Sequence, residues 1–145
     1  RLEGARCFKE TVAILLAFNK TLLPQNYQYD FIVENQRGAK FIGIPMFSSK
    51  SLLPLVDPGH YLTLNGAKIN IVGNNLESYP APGLHWKWCW PCWYVLMFND
   101  IDDQGWIYAR VFFSNSLGTW KGKSYPGNFV RKRIWMRLRK YDPES

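Results

Sequence analysis

Cys89 and Cys92 are the residues whose type and spacing most suggest a reactive site. With Pro91 they form a Cys-x-Pro-Cys motif of the kind found in dithiol redox sites. Redox chemistry of that kind places the first thiol at a helix N-terminus within a βαβ unit, where the thiolate is stabilised. Here the motif leads instead into residues 94–98, a β-prone run of Tyr, Val, Leu, Met and Phe. We therefore expect no redox catalysis.

The same two cysteines could supply half of a zinc site together with His85, because two thiolates three positions apart suit zinc. The remaining Cys and His residues of the chain are Cys7 and His60, which lie far away in sequence. A complete ligand set is therefore missing, and we predict no metal site from these residues.

Residues 100–105 invite a calcium-loop interpretation because Asp100, Asp102 and Asp103 precede Gly105. An EF-hand loop carries a glutamate at its twelfth position, and that position here is Val111. A solvated turn is the better prediction. No Ser/His/Asp set, phosphate-binding glycine loop or pair of catalytic carboxylates is recognisable, so we expect no enzymatic activity and no cofactor.

Two stretches rich in tryptophan and basic residues dominate the chain. Residues 86–94 contain four of the seven tryptophans, and residues 129–141 contain six arginines and lysines around Trp135. Guanidinium planes stack on indole faces with about 0.5–2 kcal/mol per contact. We expect the two stretches to meet and their side chains to stack.

Periodicity supports this expectation. From position 129 the odd residues are Phe, Arg, Arg, Trp, Arg, Arg and Tyr, whereas the even residues from 130 to 138 are Val, Lys, Ile, Met and Leu. A period of two predicts a β-strand with one apolar face and one Arg/aromatic face. Trp86, Trp88 and Trp90 alternate in the same way and are expected to share a face, with a bulge or strand edge at Pro91.

Composition limits the class of protein. The chain has 145 residues, 47% of them hydrophobic, with a net charge of +7 and a pI near 9.4. One domain is expected. The positive charge favours anionic partners, unless the arginines of the C-terminal cluster are used internally for stacking. Nucleic acid is disfavoured, because the basic and aromatic residues alternate on one strand face and can satisfy each other. The longest apolar run, residues 12–18, is far shorter than the roughly 20 residues that span a bilayer.

The remaining elements follow from local patterns. Apolar residues at helical spacing predict an amphipathic helix over residues 1–23, ended by Pro24, which packs on the core or meets a membrane or partner. The other predicted elements are two strands within 27–47 joined by a polar turn at 34–38, a loop over 48–66, a short strand at 68–72, a turn at 99–105, and strands at 106–113 and 129–141.

At these residues the chain resembles a dysferlin domain. The family has a Trp-x-Trp start, a Gly-Trp-x-Tyr turn and a closing strand rich in Arg around a Trp, which correspond here to residues 86–88, 105–108 and 130–137. Residues 34–37, Glu-Asn-Gln-Arg, resemble the opening motif of the fungal branch. The resemblance covers about residues 30–141. It departs from the family at residues 89–92, where acidic or polar residues are usual, and at Lys132, where Arg is expected.

The resemblance implies an antiparallel β-sandwich with Arg/Trp stacking, preceded by an N-terminal α-helix. Residues 1–26 are then an amphipathic helix with a linker, and residues 27–145 are the dysferlin domain. The residues that inherit the structural Arg/Trp stack are Trp86, Trp88, Trp93, Trp106, Trp135, Arg131, Arg133 and Arg137.

The fungal branch of the family includes peroxins that regulate peroxisome number and size at endoplasmic reticulum contact sites. It also includes a small sporulation protein needed for prospore-membrane extension. Residues 43–58 resemble the sporulation protein, whereas the N-terminal helix is similar to the segment that precedes the domain in a peroxin. The resemblance therefore favours a peroxin at the cytosolic face of the endoplasmic reticulum or peroxisomal membrane, with the prospore membrane as the alternative.

The first functional hypothesis is a lipid-recognition domain for an anionic phospholipid such as phosphatidic acid. The basic excess, the apolar loop at 52–56 and an extra tryptophan motivate it, because tryptophan suits a membrane interface and lysines are attracted to anionic surfaces. The alternative for the loop is that it folds back over the core. The candidate contact residues are Leu52, Leu53, Leu55, Trp90, Lys121 and Lys123. The second hypothesis is a protein-interaction scaffold in a membrane-remodelling complex, with partners such as the proteins of a peroxin complex.

Overall fold

The computed structural model describes residues 7–22, 24–41, 44–71, 73, 75–80, 83–98, 101–112, 120–122 and 129–144. Helix α1 spans Phe8–Ala17 and continues as a π-helical turn, Phe18–Leu22. The strands are β1 (Tyr27–Phe41), β2 (Ile44–Ser48), β3 (Tyr61–Leu62), β4 (Trp86–Trp88), β5 (Tyr94–Val95), β6 (Ile107–Ala109) and β7 (Val130–Tyr141). Two short 3₁₀ helices, Ser49–Ser51 and Leu76–Ser78, lie between strands. The predicted helix at 1–23 is confirmed for its central part, and residues 1–6 and 23 lie outside the described residues.

Strand β7 is the centre of an antiparallel sheet that has seven strands in the described residues. One of its edges pairs with β1 at eleven successive positions, from Tyr27↔Lys140 to Arg37↔Val130. Its other edge pairs in turn with β4, β5 and β6 as the chain runs from residue 86 to residue 109. Strands β2 and β3 extend the sheet beyond β1. The predicted fold class, a mainly antiparallel β fold of curled-sandwich type preceded by a helix, is confirmed.

The two faces of the sheet carry separate cores, because side chains of a strand alternate between faces. Helix α1 covers the first face, where Leu15 packs with Val33 and Ile134. On the second face, Ile32 packs with Trp93 and with residues from the 61–76 segment. The strand predicted at 129–141 is confirmed to within one residue, and its apolar side is fully buried at Val130 and Ile134.

Strand β1 corrects the prediction of a hairpin with a turn at 34–38, because the strand continues through these residues. Glu34 and Gln36 face arginines at directly opposed positions of β7 and accept hydrogen bonds from them. Asn35 is 2% exposed and donates its side-chain N–H to the carbonyl of Gly59. Polar residues that look like a turn in the sequence are therefore satisfied within a strand.

Three further predictions differ from the structure. The strand expected at 68–72 is reduced to one bridge between Leu62 and Lys68 in the described residues. The strand expected at 106–113 is only β6, and residues 106–109 are all buried rather than alternating. Both faces of this segment are covered, so burial does not follow the period of two. The predicted loop over 48–66 contains β3, which pairs with β1.

The π-helical turn is joined to the sheet through Asn19. Its side-chain amide donates to the carbonyl of Tyr29 at 2.9 Å and accepts from the N–H of Tyr29 at 2.8 Å. One side chain therefore satisfies both backbone groups of a β1 residue on the edge away from β7. Among the described helices, none combines the length and the apolar character that crossing a bilayer requires.

Candidate functional site

Four arginines of β7 lie on one face of the sheet and stack on tryptophans from the neighbouring strands and turns. The Cζ of Arg131 is 3.9 Å from the centroid of the Trp106 ring, and the Cζ of Arg133 is 4.1 Å from the same residue. Further along the strand, Arg137 lies 4.4 Å from Trp88. Arg139 completes the series with a 4.6 Å distance to Trp86. The structure thus brings the two predicted stretches together.

Glu34 is the hub of this face. Its Oε1 accepts from Arg133 Nε and from Trp135 Nε1, each at 2.8 Å, and its Oε2 lies 3.2 Å from His60 Nε2. Burial raises the pKa of this carboxyl. Hydrogen bonds from His60 and Trp135, together with the charge and hydrogen bond of Arg133, outweigh burial and bring the pKa down to about 2. Glu34 is therefore a fixed anion whose oxygens are all engaged within the fold.

A second polar cluster surrounds Arg131. Its Nε and Nη2 both donate to Gln36 Oε1, at 2.8 and 2.6 Å. Burial lowers the pKa of Arg131. Tyr108 donates its hydroxyl to Asp102 Oδ2, and burial followed by this hydrogen bond raises the pKa of Tyr108. Asp102 also accepts from the N–H of Trp106, so it builds the turn that was compared with a calcium loop.

Arg137 shapes the bend that contains Trp90. Its Nε donates to the carbonyl of Trp90 and its Nη2 to the carbonyl of Pro91, each at 3.0 Å. Trp90 lies beyond the end of β4 and packs on Tyr29 and Tyr94, with ring centroids 5.5 and 5.3 Å away. The expectation that Trp90 shares a face with Trp86 and Trp88 is therefore wrong, because the bend turns it away from Trp88.

Trp93 differs from the other tryptophans of the predicted stack. Its ring packs edge-on against Trp88 and Tyr79 rather than against an arginine in the described part of the chain. It is 6% exposed, and its buried indole N–H has no hydrogen-bond partner among the described residues. The described part of the fold therefore leaves this N–H donor unpaired.

A cleft of about 260 Å³ opens beside Trp93 on the same face. Tyr61 and Trp135 form further walls, and Glu34 and Arg133 also line it. Burial, followed by the nearby charge of Glu34, raises the pKa of Tyr61 to about 12, so its hydroxyl stays neutral.

The apolar loop at 52–57 is held in one conformation by Asp57. This carboxylate accepts two hydrogen bonds from Arg37, both 2.6 Å, and a third from the N–H of Leu53 at 2.8 Å. The hydrogen bonds to Arg37 are the main reason why the pKa of Asp57 is lowered. Leu55, at the tip, has a φ of +67°, which costs a leucine conformational energy, and it is fully exposed.

The six residues predicted to contact lipid differ in their exposure. Leu53 and Leu55 are exposed, whereas Leu52 packs against a core cluster with Val130. Trp90 is half-buried, and Lys121 is exposed while its backbone pairs with Tyr108. Lys123 lies outside the described residues. Val56, which is 64% exposed beside Leu55, adds to the apolar surface of the loop.

Lys132 is half-buried on the opposite face, and its ammonium group packs against two aromatic rings. Its Nζ lies 3.5 Å from the centroid of the Phe8 ring and 3.9 Å from that of Trp120. Burial lowers its pKa to about 7. Sequence reasoning noted this lysine only as a departure from an expected arginine.

The cysteines remain free thiols in the structure, with Cys89 exposed and Cys92 half-buried. No group of three or more His, Cys, Asp or Glu side chains within the described ranges is arranged to hold a metal ion.

Sequence reasoning missed the role of Glu34. A charged residue directly after Ile32 and Val33, two positions from Gln36, was the signal that could have placed it on the polar face of a strand.

The fold and this site define a β domain whose buried charges and aromatic rings mainly stabilise one another. No family model matches the chain. The chain is 39% identical to sporulation-specific protein 73 of Saccharomyces cerevisiae, over 75% of this chain and 84% of that protein. It therefore belongs to the family of that sporulation-specific protein.

Two further relatives are similar over a shorter part of their length. The meiotically up-regulated gene 65 protein of Schizosaccharomyces pombe is 38% identical over 77% of this chain, which spans only 42% of that relative. A tectonin β-propeller repeat-containing protein of Drosophila melanogaster is 29% identical over 74% of this chain and 7% of its own length. The domain thus also matches part of much longer proteins.

Proposed function

We propose that this chain is a non-enzymatic scaffold domain that acts in a membrane-remodelling step of sporulation, at the prospore membrane. The observation that carries the proposal is its similarity to a sporulation-specific protein over 84% of that protein's length. A second relative is described as meiotically up-regulated, which supports the same stage of the life cycle. The peroxin role and the endoplasmic reticulum or peroxisomal placement stay predictions from the dysferlin resemblance, which itself stays a proposal.

The arrangement of charges supports binding rather than catalysis. Glu34 is engaged by three donors, and Asp57 by two residues, within the fold. Their charges therefore stabilise the domain. Among the described residues, the structure offers a partner an exposed apolar loop and a cleft, which are features of binding surfaces.

The proposal is tested in S. cerevisiae cells that lack the sporulation-specific relative. We expect expression of this chain to increase spore formation and prospore-membrane length relative to an empty vector. Trp88→Ala, which removes a ring from the Arg137 stack, serves as the matched control and should fail because the domain is destabilised. An unchanged spore count, with the chain present at the level of the native relative, would contradict the proposal.

A second candidate function is direct contact with an anionic lipid surface, and the loop at 52–57 favours it. Leu53, Leu55 and Val56 are exposed on a loop that hydrogen bonds to Asp57 support. Lys50, in the preceding 3₁₀ helix, and the net charge of +7 add an electrostatic attraction of about 1 kcal/mol per lysine close to an anionic membrane.

Liposome flotation tests this second candidate. We expect binding to vesicles that contain phosphatidic acid, weaker binding at higher salt, and little binding to neutral vesicles. The double variant Leu53→Ser/Leu55→Ser should weaken binding without lowering the melting temperature. Leu84→Ser is the matched control, because Leu84 is 83% exposed and lies outside the loop. Equal flotation of both variants and the wild type would exclude the loop as the contact.

A further inference from the structure

The cleft beside Trp93 combines aromatic walls with an unpaired carboxylate. Tyr61, Trp93 and Trp135 line it together with Glu77. Glu77 is exposed, and its carboxylate forms no hydrogen bond or ion pair with another residue in the described part of the chain. The faces of aromatic rings carry partial negative charge and attract cations. The lining of the cleft therefore favours a positively charged ligand.

The balance of charge around the cleft points the same way. Its charged lining residues are Glu34, Glu77 and Arg133. Glu34 and Arg133 form an ion pair at 2.8 Å, so they neutralise each other and the charge of Glu77 remains. The net charge of +7 belongs to the whole chain, and exposed charges more than about 8 Å apart are largely screened at physiological ionic strength. The nearby carboxylate therefore decides which ligand charge is preferred.

The aromatic walls already hold cationic or planar groups on one side. Arg133 lies between Trp106 and Trp135, with its Cζ 4.1 and 4.5 Å from the two ring centroids, and so covers one face of Trp135. His60 stacks on Tyr61 with 3.9 Å between ring centroids. Because a flat ring has two faces, these contacts do not exclude a ligand from the opposite face of Trp135 or Tyr61.

The hydrogen-bond acceptors of the cleft are mostly used. One oxygen of Glu34 accepts from Arg133 and Trp135, and the Oδ1 of Asn75 accepts from the backbone N–H of Glu77. A primary ammonium group brings three N–H donors that lose water when it enters such a site. A quaternary ammonium group has no N–H and loses no hydrogen bond, so it suits a cleft that offers ring faces and one exposed charge.

We propose that this cleft binds a quaternary ammonium group, with Tyr61 and Trp135 as aromatic walls and Glu77 as the counter-charge. At about 260 Å³ the cleft is below the range of drug-sized pockets and suits one small cationic group. The expected source, which rests on the proposed scaffold function, is a trimethylated lysine side chain of a partner protein. Leu76 lines the cleft and offers an apolar contact to its stem. A choline lipid would instead bring a phosphate close to Glu77, which repels it.

The first measurement is a titration of the ¹⁵N-labelled chain with choline, followed through the backbone N–H of Glu77 and the indole N–H of Trp135. Choline should shift both signals. Neohexanol, its uncharged isostere, and ethanolamine, its primary ammonium analogue, should shift them much less at the same concentration. Equal shifts with neohexanol would overturn the proposal, because the site would then recognise apolar shape. Tighter binding of ethanolamine would overturn it as well, since methylation would not be selected.

Glu77 provides variants that leave the core untouched. Glu77→Gln should weaken choline binding about 2- to 5-fold, and Glu77→Lys should weaken it further, because the counter-charge is removed and then reversed. The melting temperature should stay the same, since the side chain is exposed. Glu144→Gln is the matched control, because it removes an exposed carboxylate that does not line the cleft. Unchanged binding by Glu77→Lys would overturn the proposal.

The source of the ammonium group is tested by comparing a capped trimethyllysine peptide with vesicles of phosphatidylcholine. Peptide binding that Glu77→Lys weakens supports a protein partner. Vesicle binding that this variant weakens, without peptide binding, would overturn the protein source and assign the cleft to a lipid headgroup. No shift with any probe at tens of millimolar would overturn this inference alone. The sporulation proposal has its own readout, because the wild-type chain can restore spore formation whether or not this cleft is occupied.

Discussion

Glu34 and Arg133 lie at directly opposed positions of β1 and β7, and Arg133 Nε donates to Glu34 Oε1 at 2.8 Å. The pair is almost buried, with 7% and 18% of its side chains exposed. Trp106 and Trp135 flank the guanidinium. One carboxylate therefore fixes the register of the two longest strands as well as the position of two tryptophan rings.

Glu34→Gln should reduce the free energy of unfolding by about 2–3 kcal/mol at neutral pH, because a buried arginine loses its anion. The folded-state pKa of Glu34 is about 2, below its usual 4.5. The stability from this charge is thus complete above about pH 4.5 and is lost as the pH falls towards 2. Denaturant unfolding at pH 7 and pH 3 measures the difference from the wild type, which should shrink at pH 3. Glu77→Gln is the exposed control, and an equal loss at both pH values would contradict the assignment.

Trp88→Ala and Arg133→Ala should each destabilise the domain by several kcal/mol, because each leaves a stacked, partly buried partner without contact. Trp88 contacts Arg137, Trp93 and Tyr79, so its loss also opens the second core. Thermal melting is the measurement. Leu84→Ala, at an exposed leucine, should change little. A fall in melting temperature of less than about 2 °C for Trp88→Ala would show that the stack is not structural.

Lys132→Met should stabilise the domain at pH 6. The pKa of Lys132 falls from 10.5 to about 7 on burial, so the charged form is penalised in the folded state. Each pKa unit corresponds to about 1.4 kcal/mol, so a fall from 10.5 to about 7 outweighs the roughly 0.5–2 kcal/mol that each of the two ring contacts returns.

The stabilisation expected from Lys132→Met should depend on pH in a defined direction. The unfolded chain binds more protons than the folded chain between about pH 7 and 10.5, so the stability from Lys132 rises over that interval. The advantage of Lys132→Met should therefore narrow from pH 6 to pH 10. Lys87→Met is the control, because 61% of that side chain is exposed. An advantage that stays constant with pH would place the effect in packing rather than charge.

Leu55→Gly should stabilise the domain by up to about 1 kcal/mol, because glycine adopts the positive φ of +67° without strain. The leucine side chain is fully exposed, so no buried contact is lost. The neighbouring change Leu53→Gly should give no such gain, since Leu53 is not among the residues with positive φ. Urea unfolding of both variants decides the point. Destabilisation by Leu55→Gly would mean that the leucine side chain supports the loop.

Gly105→Ala should cost several kcal/mol. A Cβ at this position would collide with Cγ1 of Val95, and the φ of +86° disfavours any L side chain. The double variant Gly105→Ala/Val95→Ala should recover the steric part and leave a strain of about 1–2 kcal/mol. Gly83→Ala is the control, because a Cβ there has no neighbour within 4 Å. Unfolding measurements that give equal costs for the single and double variants would exclude the clash.

The long strand β7 could be predicted from sequence because a period of two runs through its twelve residues, with Val130, Ile134, Met136 and Leu138 on one side. The tryptophan stretch could be matched to it for the same reason. The continuous strand through Glu34–Gly38 could not, because local composition favours a turn there and only pairing with residues almost a hundred positions later satisfies the polar groups. Long-range hydrogen bonds overrode a local signal.

The candidate site was predictable in its residue types but not in its geometry. Arginine and tryptophan at alternating positions indicated stacking, and the structure supplies the distances. Whether the indole N–H of Trp93 finds a hydrogen-bond partner depends on how the neighbouring rings pack around it, and the periodicity of the sequence carries no information about that packing. The burial of Lys132 likewise depends on Phe8, which lies in a helix more than a hundred residues earlier.

The amide of Asn19 affects whether copies of this chain can aggregate through the edge of strand β1. The N–H and C=O of Tyr29 are occupied by that amide, at 2.8 and 2.9 Å. A strand from another molecule therefore finds no unpaired backbone N–H or C=O at Tyr29, so edge-to-edge strand pairing cannot begin at this residue. Asn19 thus blocks one position at which the sheet edge could pair with another copy and aggregate. Such protection is most useful where many copies of a domain are concentrated on a surface.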